Sequence, residues 1–241
     1  MSAYMSAHLG DWLAQAFAID APALPSALAM QIWLHLGWSV VLAFVGANLV
    51  GRWRPGRPGK LDGWQWGVAL ALAFWTWIPG SYAPAYWLGL AFQAPSIAAV
   101  LLCDALLRSC FFPTRVGVSI NEPYNRVTLA LASIGVLLGW ALLLDGLALL
   151  PVQLYAWGSS PVAVALVLLV ALIPWVVCVQ PPVVGRSRVW VVPVAVLVFV
   201  VWRLPSGNVW DSVLDPLLWL VLHVYVAGAL RRIWRRQAQI S

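Results

Sequence analysis

The chain has 241 residues, of which 63% are hydrophobic and 9% charged, with a formal net charge of +6 and a mean hydropathy of +0.87. Soluble domains carry roughly 45–50% apolar and about 25% charged residues, so a soluble globular domain is excluded, as are disordered, collagen-like and disulfide-framework chains. This composition belongs to an all-α, polytopic membrane helix bundle.

Residues 1–27 read as an N-terminal tail. Met5, Leu9, Trp12, Leu13 and Phe17 share one helical face, with His8, Asp11 and Gln15 elsewhere, which predicts a short amphipathic helix lying in the outer interface. No basic segment precedes it and His8, Asp11 and Asp20 interrupt its apolar run, so it reads as retained rather than as a cleaved signal. Seven apolar runs follow, at 28–50, 62–77, 85–107, 127–150, 161–179, 189–202 and 213–230. They predict a seven-helix transmembrane domain over 28–230 and a basic cytoplasmic tail over 231–241. The sixth run is the weakest by length, held between Arg188 and Arg203, and it crosses only with little tilt, local thinning of the bilayer or outward-snorkelling arginines. Pro95, Pro174, Pro193 and Pro216 fall where each would kink a span.

Thirteen of the fourteen basic residues follow the first, third, fifth or seventh run, leaving Arg203 alone on the other side. Short loops rich in Arg and Lys stay in the cytoplasm, so the N-terminus is expected outside and the C-terminus inside, in a cell inner membrane. Trp64, Trp66, Trp75 and Trp77 at the two ends of the second run, and Trp190 and Trp202 around the sixth, fit interfacial belts. The positive charge then implies contact with anionic lipids and not with nucleic acid, since no loop carries a nucleic-acid-binding pattern. Cys103, Cys110 and Cys178 fall toward the reducing side without metal-ligand spacing, so neither a disulfide nor a metal centre is expected. The longest connection, after the third run, offers Phe111, Arg115, Asn121, Glu122, Tyr124 and Arg126 as a candidate docking loop for another membrane subunit.

Ionisable groups near the middle of a bilayer are expensive and usually functional, and here the acids lie toward the edges. Asp104 and Arg108 are spaced i,i+4 for a local ion pair, and Arg203 is expected to pair with Asp211 or Asp215 and lock the last two spans together. The stretch from Gly207 through Asp211 to Asp215 matches G-x-x-x-D-x-x-x-D and resembles the second half of the CDP-alcohol phosphotransferase signature, whose carboxylates hold divalent metal. The first half, D-G-x-x-A-R, is missing, because the nearest Asp-Gly, Asp145-Gly146, stands about sixty residues earlier and lacks the Arg. Two acids at a helix N-terminus are explained more simply by the helix dipole.

Of the histidines, only His35 and His223 fall within spans, at depths of roughly 10 Å and roughly 18 Å, with Gln93 at roughly 12 Å between them. These three form a candidate polar intramembrane site, with a Gln93–His223 hydrogen bond as its plainest form. A haem b held by both histidines would need matching depths, which weighs against that cofactor. Nucleophile, base and orienter do not coincide anywhere, so no catalytic residues are expected. Seven spans of this size resemble the microbial rhodopsins, whose chromophore requires a lysine in the last span, whereas the one lysine here is Lys60 in a loop. The leading expectation is a non-enzymatic subunit or scaffold of an inner-membrane complex. The alternatives are a small transporter or channel-like protein for a neutral or apolar solute and, third, a haem-binding or lipid-modifying protein.

Overall fold

The computed structural model describes residues 24–53, 62–111, 126–177 and 188–238. The described chain is all-helical, 82% helix with no strands. Its α-helices are α1 (Ala27–Trp53), α2 (Gly63–Trp75), α3 (Pro84–Phe92), α4 (Ile97–Phe111), α5 (Arg126–Gly146), α6 (Leu154–Trp157), α7 (Pro161–Val177), α8 (Val191–Trp202), α9 (Val209–Val213) and α10 (Pro216–Gln237). Two 3₁₀ turns, Gly80–Tyr82 and Arg188–Trp190, precede α3 and α8. Three helices, α1, α5 and α10, are long and apolar enough to cross a membrane, and α7 and α8 are shorter apolar helices. This points to membrane association. The amphipathic helix expected in the N-terminal tail lies outside the described residues.

Helix starts are set by caps in the sequence. Ser26, Ser96 and Ser160 lie just before α1, α4 and α7, and each hydroxyl accepts the amide three residues on, from Ala29, Ala99 and Ala163. Gln65 Oε1 accepts the Asp62 amide at 2.7 Å at the start of α2, the returning arm of a capping box. Pro193 sits in the first turn of α8 and Pro216 is the first residue of α10, positions that need no amide donor, so neither kinks a helix interior. Pro174 lies inside α7.

The third predicted span is not continuous, and the seventh starts later than expected. The run expected over 85–107 breaks at 93–96, where Gln93 takes φ 64° after the end of α3 and Pro95 lacks the N–H that a through-going helix would use. The freed carbonyls are taken by α1: Trp33 Nε1 donates to Pro95 O and Trp38 Nε1 to Gln93 O, both at 3.0 Å. In apolar surroundings each carbonyl would otherwise be left without a partner at a cost of several kcal/mol. The run expected over 213–230 is one helix from Pro216 onward, with the run's first residue, Val213, ending the separate short helix α9.

Packing follows small residues. α1 and α2 run antiparallel, with Gly46 against Leu72 and Gly51 against Gln65, and a small core of Ala43, Ala47 and Ala69 lies between them. α4 runs parallel to α1, since Gly37 faces Pro95 and Val100 while Leu107 packs on the Ala43 cluster. The larger core joins α4, α7, α8, α9 and α10 around Ile97, Ala163, Val196, Phe199 and Val209, all at most 1% exposed. α10 runs antiparallel to α5, placing Leu222 on Gly135 and Trp219 on Gly139, and Trp219 Nε1 donates to Val136 O at 3.1 Å.

Gly139 and Gly228 separate packing from propensity. In a helix interior Ala is favoured over Gly by about 1 kcal/mol. At Gly139 a Cβ would overlap the Trp219 indole, which its hydrogen bond holds in place, at a cost of about 1–3 kcal/mol; at Gly228 nothing lies within 4 Å. Gly139→Ala is therefore expected to lower the thermal midpoint in detergent and Gly228→Ala to hold or raise it; the same sign for both would refute the α5–α10 contact.

Candidate functional site

One carboxylate joins two helix starts. Asp215 precedes Pro216 and caps α10, its Oδ1 accepting the Leu218 amide at 2.8 Å. Its Oδ2 accepts both the Ser96 amide at 2.9 Å and the Ser96 hydroxyl at 2.6 Å, at the start of α4. Two helix N-termini, each the positive end of its macrodipole, thus converge on one negative group through three charge-assisted bonds. Asp211 and Asp215 do not form an i,i+4 pair on one helix: Asp211 belongs to the separate helix α9.

Asp211 anchors a second cluster. It accepts Tyr155 Oη at 2.7 Å and the Ser206 hydroxyl, while Asp145 Oδ2 accepts the Tyr155 amide at 2.7 Å. Asn208 caps α9 through its Oδ1 and donates from Nδ2 to Tyr155 O at 2.7 Å, and Trp210 Nε1 donates to Leu154 O at 2.9 Å. Gly158 is required here, since a Cβ would run into the Asn208 and Trp210 side chains. These bonds stitch α6 to the segment entering α9. Burial, then the hydrogen bond and negative charge of Asp211, push the Tyr155 phenol above its ordinary range, against a smaller lowering by Ser206. The expected pairing of Arg203 with Asp211 or Asp215 is not formed. Arg203 ends α8 in the left-handed conformation, φ 56°, its guanidinium lies over the Phe199 ring at 5.4 Å from the centroid, and both acids already hold other donors.

Below these clusters lies a cavity of about 430 Å³ between α4, α5, α7, α8, α9 and α10. Leu102, Ala132, Val167, Val192, Leu214 and Leu222 are typical of its walls. Hydroxyl and charge enter its lining only through Thr128, Tyr225 and Arg188. Such a space suits an apolar or amphipathic molecule.

The polar residues singled out in the sequence fall in separate places. His35 Nδ1–H donates to Thr76 O at 2.6 Å and its ring stacks on Trp77, beside a hydrogen bond between the Ser39 and Thr76 hydroxyls. His223 Nε2 accepts Trp140 Nε1–H at 3.1 Å, which leaves Nδ1–H to donate to Trp219 O at 2.9 Å, inside a Trp140–Trp219–His223 aromatic group. Gln93 marks the α3–α4 break, its backbone carbonyl bound by Trp38, and its expected hydrogen bond to His223 is replaced by the Trp140 and Trp219 contacts. The two imidazoles belong to different helix pairs, α1–α2 and α5–α10, and do not face one iron. Asp104 and Arg108 form an ion pair at 2.7 Å. Of the candidate docking loop, Arg115, Asn121, Glu122 and Tyr124 lie outside the described residues, with Phe111 ending α4 and Arg126 beginning α5. Among the described residues no three His, Cys, Asp or Glu side chains gather where a metal could sit. Ser96, Tyr155 and Asn208 were not singled out in the sequence, although Pro95-Ser96 before an apolar run and Asn208 before Trp210-Asp211 are helix-start signals.

The chain matches no protein-family model, no curated protein and no solved structure.

Because Tyr155 keeps its proton past the free-tyrosine value of about 10, the folded state binds a proton that the unfolded chain has released, and stability falls as pH rises beyond about 10. Tyr155→Phe is expected to cost about 1 kcal/mol at neutral pH, modest because the site is half exposed, and to make the alkaline fall shallower. Thermal melts between neutral and strongly alkaline pH check this; an unchanged alkaline slope counts against the Tyr155–Asp211 bond.

Proposed function

We propose that the protein is a non-enzymatic, multi-pass inner-membrane protein that holds an apolar or amphipathic small molecule within its helix bundle, in keeping with a small transporter or channel-like role for a neutral or apolar solute. The observation carrying this reading is the 430 Å³ cavity, whose walls are almost wholly apolar. Supporting it, the carboxylates of Asp215 and Asp211 are each engaged by structural hydrogen bonds from helix starts, serines and Tyr155. In this proposal the chain crosses seven times, α3 and α4 together making the third crossing, with the N-terminus outside. Arg52, Arg108, Arg126, Arg188 and Arg231, at one set of helix ends, then face the cytoplasm and anionic lipid.

A second reading, a structural subunit of a larger membrane assembly, is favoured by the outward aromatic face of α2 and α3. Trp64, Phe74 and Trp87 there are 60–72% exposed and would suit either lipid or a neighbouring subunit.

Native mass spectrometry from mild detergent distinguishes the two. The ligand reading expects a discrete small-molecule adduct that Ala132→Phe, which fills the cavity, removes while the thermal midpoint persists; bare monomer mass is its failure, and a stoichiometric protein partner on bare chain supports the second reading. For topology, alkaline phosphatase fused after residue 80, 150 or 207 is expected to be active and after residue 55, 115 or 185 inactive, with the pattern reversed or uniform if the orientation is wrong.

A further inference from the structure

The cavity has two unlike ends. Ala98, Trp210 and Leu214 close it with apolar surface next to the Asp215 junction. Opposite stand Thr128 in the first turn of α5, Tyr225 ten residues into α10, and Arg188 in the turn that opens α8 and packs against α5. The antiparallel course of α5 and α10 brings Thr128 and Tyr225 to the same end. From Ala98 to Leu106 the α4 wall is about 12 Å deep at a helical rise of 1.5 Å per residue. One leaflet contributes about 15 Å to a hydrocarbon core of about 30 Å. Two wall residues, Val170 on α7 and Val221 on α10, are 39% and 57% exposed, so the cavity opens sideways between helices.

An apolar slot about one leaflet deep, open to the side and basic at its rim, is complementary to a chain-bearing lipid with an acidic head. Charge accumulates at that rim, as Arg231 and Arg235 follow Tyr225 on the same helix. A guanidinium matches phosphate oxygens in geometry and charge, and the Thr128 and Tyr225 hydroxyls add neutral hydrogen-bonding groups beside it. We infer that the cavity takes one acyl chain of an anionic phospholipid from the surrounding bilayer, its phosphate at Arg188. This rests on the cavity reading above and adds the ligand's class and its orientation.

The test uses the full chain in nanodiscs made from equal parts of phosphatidylglycerol and phosphatidylcholine with identical acyl chains, released for native mass spectrometry. The parent protein is expected to retain phosphatidylglycerol as its main discrete adduct. Arg188→Gln should reduce the phosphatidylglycerol preference about five-fold, the contribution of one basic residue at an anionic surface. Arg203→Gln, at the opposite end of α8 from Arg188 and outside the cavity lining, should leave the preference unchanged. Val170→Trp, a substitution at an exposed wall position that should not disturb folding, is expected to remove adducts of both lipids; thermal midpoints confirm that each variant is folded. Equal retention of both lipids, indifferent to Arg188→Gln, overturns the head-group assignment while the cavity reading stands. Absence of both adducts from the parent protein overturns both.

Discussion

Asp215 is the constraint on which the arrangement turns. Its carboxylate ends the irregular link after α9, caps α10 and takes both the amide and the hydroxyl of the residue that opens α4. Each helix start brings unsatisfied N–H groups and partial positive charge into apolar surroundings. A neutral side chain at 215 would leave both starts to find donors and acceptors separately. With the carboxylate present, α4 and α10 begin side by side and run the same way, and the space between their walls and α5 becomes the cavity.

The described bundle is consequently asymmetric along its length. One end is tied by Asp145, Tyr155, Ser206, Asn208 and Asp211, and by backbone bonds such as Val209 N to Gly158 O at 3.0 Å. Toward the other end lies the cavity, where α5 and α10 are joined by the Trp219–Val136 and Trp140–His223 hydrogen bonds and the remaining walls meet through apolar side chains. Directional bonds fix helix spacing closely, whereas apolar contacts tolerate a gap or a guest.

How much of this was legible in the sequence depended on range. The apolar runs located helices, and Ser26, Ser96 and Ser160 mark where three of them begin. The break at 93–96 was hidden because Phe92 and Ala94 keep the hydropathy of the run high; Pro95 hinted at a bend, and the structure made a full interruption. Pro216 suggested a kink and proved to be a first residue, since Asp215 before it is a cap. The partners of the acids were beyond sequence reasoning: Tyr155 is 56 positions from Asp211 and Ser96 is 119 from Asp215. Arg203 misled through nearness along the chain, because its guanidinium lies over the Phe199 ring while both acids hold other donors. The cavity has no local signature at all, being assembled from six of the described helices.

The tryptophans, by contrast, carry more than the interfacial role their positions suggested. Trp33, Trp38, Trp75, Trp87, Trp210 and Trp219 each give an indole N–H to a backbone carbonyl, several of them where a helix stops or breaks. Wherever water is excluded, the indole does what solvent does for loops of soluble proteins. An aromatic exchange such as Trp38→Phe would leave a hydropathy plot almost unaltered and yet strip a donor from an oxygen that has nowhere else to turn, so in this chain oiliness and foldability are separately encoded.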